Sequence, residues 1–93
     1  MNIKTYEYLL IAEMNILEKG YVSYEDLMQV CEYRPWIITA LSEELGLMPI
    51  DVKSQCADKL VSAIDYFKAV NMFLRSNLEN LPVGLFNGEV YVN

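Results

Sequence analysis

Seven helix-breaking residues divide this chain, and their placement constrains its fold more than any other feature. Gly20, Pro35, Gly46 and Pro49 fall in the first half, and no glycine or proline recurs until Pro82, Gly84 and Gly88. Both residue types are poorly tolerated in a helix interior. Between them, apolar side chains recur at helical spacing, so the pattern predicts an all-α fold. The expectation is a small four-helix domain, with two short central helices and one long C-terminal helix, followed by a C-terminal β-hairpin.

The first helix covers roughly residues 3 to 19. Ile3, Tyr6, Leu10, Met14 and Leu17 trace its apolar stripe, with Leu9, Ala12 and Ile16 alongside and Lys4, Glu7, Asn15 and Glu18 on the other arc. Gly20 suits the left-handed residue that ends a helix, and Lys19 suits the negative end of the dipole. Ser23 opens the second helix as N-cap, with Asp26 at the third position and Val22 placed to staple against Leu27. Its inward stripe is Tyr24, Leu27, Met28 and Cys31. It ends near Tyr33, because Arg34 precedes Pro35 and is pushed out of the helical region.

Pro35 fits the first turn of a third helix whose inward face is Ile37, Ile38, Leu41 and Leu45. Gly46 terminates it, Leu47 supplies the apolar contact of a Schellman ending, and Pro49 keeps the helix from resuming. Asp51 then caps a fourth helix running from Val52 to Leu78, with Cys56, Leu60, Ala63, Phe67, Val70 and Leu74 in steps of four and three. At 1.5 Å per residue it would be ~40 Å long, so it either kinks or protrudes. Asp51, Asp58 and Asp65 repeat every seven residues as a solvated stripe beside it. In the last segment, Asn87-Gly88 between Leu85-Phe86 and Val90-Tyr91-Val92 predicts a hairpin over 81–93. The whole of 1–93 reads as a single domain with that hairpin appended.

Composition narrows the function. There is no histidine, which removes the usual general base, the Ser-His and Cys-His nucleophile pairs and the commonest zinc ligand. The chain therefore reads as a non-enzyme without cofactor or metal. Adjacent helical residues diverge by about 100°, so Glu43 and Glu44 do not converge on a metal and read as surface. Thirteen acidic against seven basic residues give a net charge of −6, the wrong sign for neutralising phosphates, so nucleic acid is a disfavoured partner. The longest uncharged stretch, Asn80 to Gly88, is far below the ~20 residues of a membrane span, and no apolar leader follows Lys4. Cys31 and Cys56 sit in helical patterns and read as free thiols in a reducing, cytoplasmic setting.

The span VSYEDLMQVCEYRPWIITALSEELGL, Val22 to Leu47, resembles the helix-turn-helix of bacterial regulators in its cadence of cap, helix, turn and helix. The resemblance covers little more than a quarter of the chain and implies a DNA-binding regulator acting as a dimer. The sequence departs from that family at Met28, where a small residue is usual, and at Glu32, where the turn usually has glycine. Its would-be recognition helix, Pro35 to Leu45, contains no lysine or arginine and includes Glu43-Glu44, whereas a groove-reading helix needs phosphate contacts and base-reading side chains.

Seven tyrosines and one tryptophan point instead to protein contacts, since these rings are enriched at interfaces. The expected partner-binding site is Tyr21, Glu25, Glu32, Tyr33, Trp36, Glu43 and Glu44, acids around rings that would steer and anchor a basic protein. The size and charge match inhibitors, immunity proteins, antitoxins and phage counter-defence proteins, so the expected function is an inhibitor or adaptor. Val61, Ile64, Phe67, Met72 and Phe73 supply a second apolar set on the long helix, which predicts a homodimer interface.

Overall fold

In the computed structural model, residues 3–79 are described, with side chains over 7–77. They form α1 (Ile3–Lys19), α2 (Tyr24–Cys31), α3 (Ile37–Leu45), α4 (Pro49–Ala57) and α5 (Ala63–Glu79). The expected hairpin over 81–93 lies outside the described residues, and within them no sheet forms.

The first two helices begin and end where local chemistry places them. Gly20, at φ 87°, closes α1 and donates its amide to Ile16 O at 2.9 Å. Ser23 caps α2 in a full capping box: the Asp26 amide donates to Ser23 Oγ at 3.0 Å, and the Ser23 amide donates to Asp26 Oδ2 at 3.1 Å. Lys19 Nζ lies 2.6 Å from the same Asp26 oxygen, which ties the last turn of α1 to the first turn of α2. That hydrogen bond raises the Lys19 pKa despite the opposing effect of burial.

Pro35 does not enter α3. The Ile37 amide donates to Arg34 O at 2.9 Å and Trp36 sits at φ −89°, ψ 2°, so Arg34 to Ile37 is a type I turn with proline at its second position. The helix starts only after it. Gly46, at φ 67°, and the Leu47 amide on Ser42 O at 3.0 Å give the expected Schellman ending of α3. Pro49 is not a barrier but the first residue of α4, where a missing N–H costs nothing. Asp51, expected as a cap, lies in the first turn instead and favours the positive end of the dipole.

The long fourth helix is two helices. Lys59 adopts φ 61°, with the Lys59 amide on Cys56 O at 3.0 Å and the Leu60 amide on Gln55 O at 2.8 Å. This is a complete Schellman motif with lysine where glycine is usual. The chain then bends at Val61. Ser62 caps α5, its Oγ accepting the Asp65 amide at 3.0 Å. The segment V-S-A-I-D at 61–65 thus repeats the cap V-S-Y-E-D at 22–26. The two caps lie side by side. An antiparallel bridge pairs Tyr21 with Ser62 through Val22 N to Val61 O (2.8 Å) and Ala63 N to Gly20 O (2.9 Å).

Around this bridge, Val22 and Val61 are fully buried with Ile16, Leu27, Val30, Ile37, Leu41, Val52 and Tyr66. α3 packs mainly on α5 and also on α4, α2 packs on α1 and α4, and α1 meets α5 only narrowly. The inward stripe of α1 is Leu9, Ala12 and Ile16, whereas the expected stripe of Leu10, Met14 and Leu17 is exposed. Tyr24, Leu60 and Leu74, also expected inside, are exposed as well. Of the stripe expected on the long helix, Cys56, Ala63 and Val70 are buried and Phe67 packs against the core, and on α5 Tyr66 and Ala69 join them.

The strained lysine is a direct test of the break. A left-handed residue with a Cβ costs ~1–2 kcal/mol, part of which glycine returns through unfolded-state entropy. Lys59→Gly should therefore raise stability by up to ~1 kcal/mol in urea titration, and Lys59→Val should lower it. A continuous helix through 59 would give the opposite order.

Candidate functional site

Side-chain contacts first fix what is structural. Glu13 on α1, Arg34 in the α2–α3 turn and Tyr66 on α5 form one polar cluster inside the fold. Arg34 Nε donates to Glu13 Oε2 at 2.7 Å, and the Tyr66 hydroxyl donates to the same oxygen. Burial works against the Arg34 charge, but the Glu13 carboxylate outweighs it and the guanidinium pKa rises. Burial first, and the bond to Glu13 second, raise the Tyr66 phenol far above its ordinary value. All three groups are satisfied by one another, and the cluster lines none of the clefts described below. It joins three elements that are distant in sequence.

The expected partner-binding residues occupy four separate places. Tyr21 stands at the bridge with Lys19 Nζ 5.3 Å and Lys59 Nζ 6.0 Å from its ring centroid, a basic setting rather than an acidic one. Glu25 lines a cleft between α1 and α2 with Tyr8, Ile11 and Gln29. Glu32 is exposed at the end of α2, while Tyr33 and Trp36 are half-buried and pack on the core. Glu43 and Glu44 lie in a cleft between α3 and α5.

That last cleft is the candidate site. It encloses about 330 Å³, with Ala40 and Ala69 forming its floor, Met72 and Phe73 one wall, and Glu43, Glu44, Ser76 and Asn77 the polar lining. Phe73 stacks on Trp36 at 4.0 Å between centroids and 6° between planes, and Arg34 lies 5.5 Å over the other ring system of this stack, Trp36. The stack thus connects the cleft to the polar cluster. Trp36 supports the wall from behind rather than standing free as an anchor. Small residues at 40 and 69 let α3 and α5 approach closely, which is why the acids at 43 and 44 face a hollow. Lys68 Nζ reaches Glu44 at 3.8 Å from an exposed position, a pair of little energetic weight.

The expected dimer set is also redistributed. Val61 is fully buried next to the bridge, while Phe73 is half-buried, stacked on Trp36 and part of the α3–α5 cleft. Met72 belongs to the α3–α5 cleft, while Ile64 and Phe67 border a groove toward α1. Ala40, Ala69, Ser76 and Asn77 were not singled out from the sequence. Small and polar residues carry no periodic signal of their own, and only the packing of α3 on α5 brings these four to one cleft.

Among the described residues, no group of three His, Cys, Asp or Glu side chains is placed to hold a metal ion, and no helix is long and apolar enough to cross a membrane. Cys31 and Cys56 are unpaired thiols, and burial raises both pKa values, Cys56 to about 11. No protein-family model matches the chain, no curated protein matches it, and no solved structure matches it.

The buried thiol and phenol generate an alkaline prediction. Cys56 and Tyr66 have ordinary values of 9.0 and 10.0 and higher values in the fold. Their stabilising contribution is complete below those values and is lost as pH rises beyond them. The melting temperature should therefore fall as pH passes about 9 and continue to fall toward 11. Tyr66→Phe should cost ~1–2 kcal/mol at neutral pH, through the lost hydrogen bond, and should flatten the upper part of that decline. An unchanged alkaline slope in this variant would contradict the assignment.

Proposed function

We propose that this chain is a non-catalytic protein-interaction module, an inhibitor or adaptor, that receives a basic partner protein in the α3–α5 cleft. The observation that carries this reading is the cleft itself: two carboxylates, Glu43 and Glu44, beside a hollow whose walls are Met72 and Phe73. A Lys or Arg side chain has the matching form, an aliphatic stem for the apolar wall and a cationic head for the acids. The net charge of −6 adds long-range attraction for such a partner. The absence of histidine from the sequence supports a role without catalysis.

A second reading has one observation in its favour. The connection most like a helix-turn-helix is not α2–α3, whose helices are separated by residues 32–36, but α3–α4. There three residues, Gly46 to Met48, join the helices with glycine left-handed. The outer face of α4 carries exposed Ile50, Asp51 and Ser54, and its one basic residue is half-buried Lys53. That face lacks the phosphate-binding side chains of a groove reader, which ranks a DNA-binding regulator second.

The deciding measurement is surface plasmon resonance with the protein captured from native extract, at two salt concentrations. Glu43→Lys with Glu44→Lys should slow association about tenfold at low salt, and Met72→Ala should speed dissociation several-fold. An association rate indifferent to salt and to both reversals would overturn the cleft reading. A mobility shift of mixed-sequence duplex DNA, lost in Lys53→Glu, would instead establish the regulator.

A further inference from the structure

The opposite side of α5 carries a different surface. Leu10, Met14 and Leu17 on α1 and Ile64 and Leu74 on α5 are exposed, Phe67 is half-buried, and Leu17 meets Ile64 and Phe67 across the narrow contact between the two helices. Leu17 and Ile64 are 65% and 72% exposed. A groove of about 420 Å³ lined by Leu17, Ala63, Ile64, Phe67, Lys68 and Asn71 runs between the helices. Leu10, Met14 and Leu17 are spaced i, i+4, i+7, one continuous strip of helix surface. At their observed exposures these six side chains offer on the order of 500 Å² of apolar area, toward the upper end for a monomer.

Charge identifies the occupant. On α1, exposed Glu7 and Glu18 are eleven residues apart and so on one line of the helix, which helical spacing sets beside the strip of Leu10, Met14 and Leu17. On α5, exposed Lys68 borders the groove, its ammonium only loosely paired with Glu44 at 3.8 Å, and exposed Arg75 follows seven residues on along the same line. One edge is acidic and the other basic. A uniformly basic partner would meet Lys68 and Arg75 with repulsion, and a uniformly acidic one would meet Glu7 and Glu18. A second copy related by a two-fold axis lays its α1 on this α5 and its α5 on this α1, so each acidic edge faces a basic one. The apolar strip alone supplies more than half of the ~800 Å² per partner of a standard interface, and the charged rims flank it.

We infer that the α1–α5 groove is a homodimer interface, closed by a second copy of this chain with α1 of each protomer against α5 of the other. It shares no lining residue with the α3–α5 cleft, and Lys68 stands between the two, on the groove but with its Nζ 3.8 Å from Glu44. This inference does not rest on the proposed function, and either can fail alone.

The test is sedimentation equilibrium of the full 93-residue chain between about 1 and 100 μM. The wild type should approach twice 10.7 kDa. Ile64→Lys should give a monomer with unchanged helical circular dichroism. Because a groove variant can perturb the fold, the exposed rims supply an independent arm. Glu7→Lys with Glu18→Lys, and separately Lys68→Glu with Arg75→Glu, should each weaken self-association at least tenfold. Their equimolar mixture should recover it to within about threefold, since only the heterodimer pairs opposite charges at both rims. The inference is overturned by a wild-type chain that stays monomeric throughout, by a dimer that survives Ile64→Lys, or by a mixture that associates no better than its components.

Discussion

Two backbone hydrogen bonds, Val22 N to Val61 O and Ala63 N to Gly20 O, hold the chain at the point on which the other contacts depend. They close a loop of about forty residues, for which chain entropy alone costs ~3 kcal/mol. Neither bond offsets that by itself, because a backbone hydrogen bond contributes ~1 kcal/mol net. The compensation lies in what the bridge aligns. Val22 and Val61 enter the core together, Ser23 and Ser62 start α2 and α5 from adjacent positions, and the start of α5 then carries Tyr66 to Glu13. The polar cluster in turn fixes Arg34, hence the type I turn that launches α3 and the Trp36–Phe73 stack that backs the acidic cleft.

Where local chemistry decides, the sequence is readable. Ser23 with Asp26, Gly20 and Gly46 each mark a boundary found in the structure, because caps and left-handed glycines act within a few residues. The long fourth helix is misread for the complementary reason. Its break uses Lys59 in a glycine's role, and the Ser62 cap sits within an apolar rhythm that runs straight across the interruption. The same V-S-x-x-D signal is legible at 22 and overlooked at 61, which shows that the cue was present but outweighed by periodicity.

The choice of faces was less accessible. On α1, two apolar strips, 9-12-16 and 10-14-17, satisfy helical spacing equally well, and only the distant partners Arg34 and Tyr66 select the first by holding Glu13 inward. The candidate site follows the same rule. Glu43 and Glu44 are visible as acids in the sequence, but the hollow beside them is built by lining residues far apart in the chain, Ala40 from α3 and Ala69 from α5. Trp36 and Tyr21 changed meaning once their neighbours were known, one becoming a supporting ring and the other a platform between two lysines.

The bridge also makes the middle of the chain separable in topology. Residues 22 and 61 are neighbours across an antiparallel pair, about 5 Å apart, so α2, α3 and α4 leave and re-enter the α1–α5 frame at a single doorway. Segments with adjacent ends are the ones that proteins exchange, insert and permute with least disturbance. The three central helices are therefore a cassette carried by a two-helix frame. Since the α1–α5 groove belongs wholly to the frame, while the acidic cleft draws Ala40, Glu43 and Glu44 from the cassette, the two surfaces can diverge at different rates.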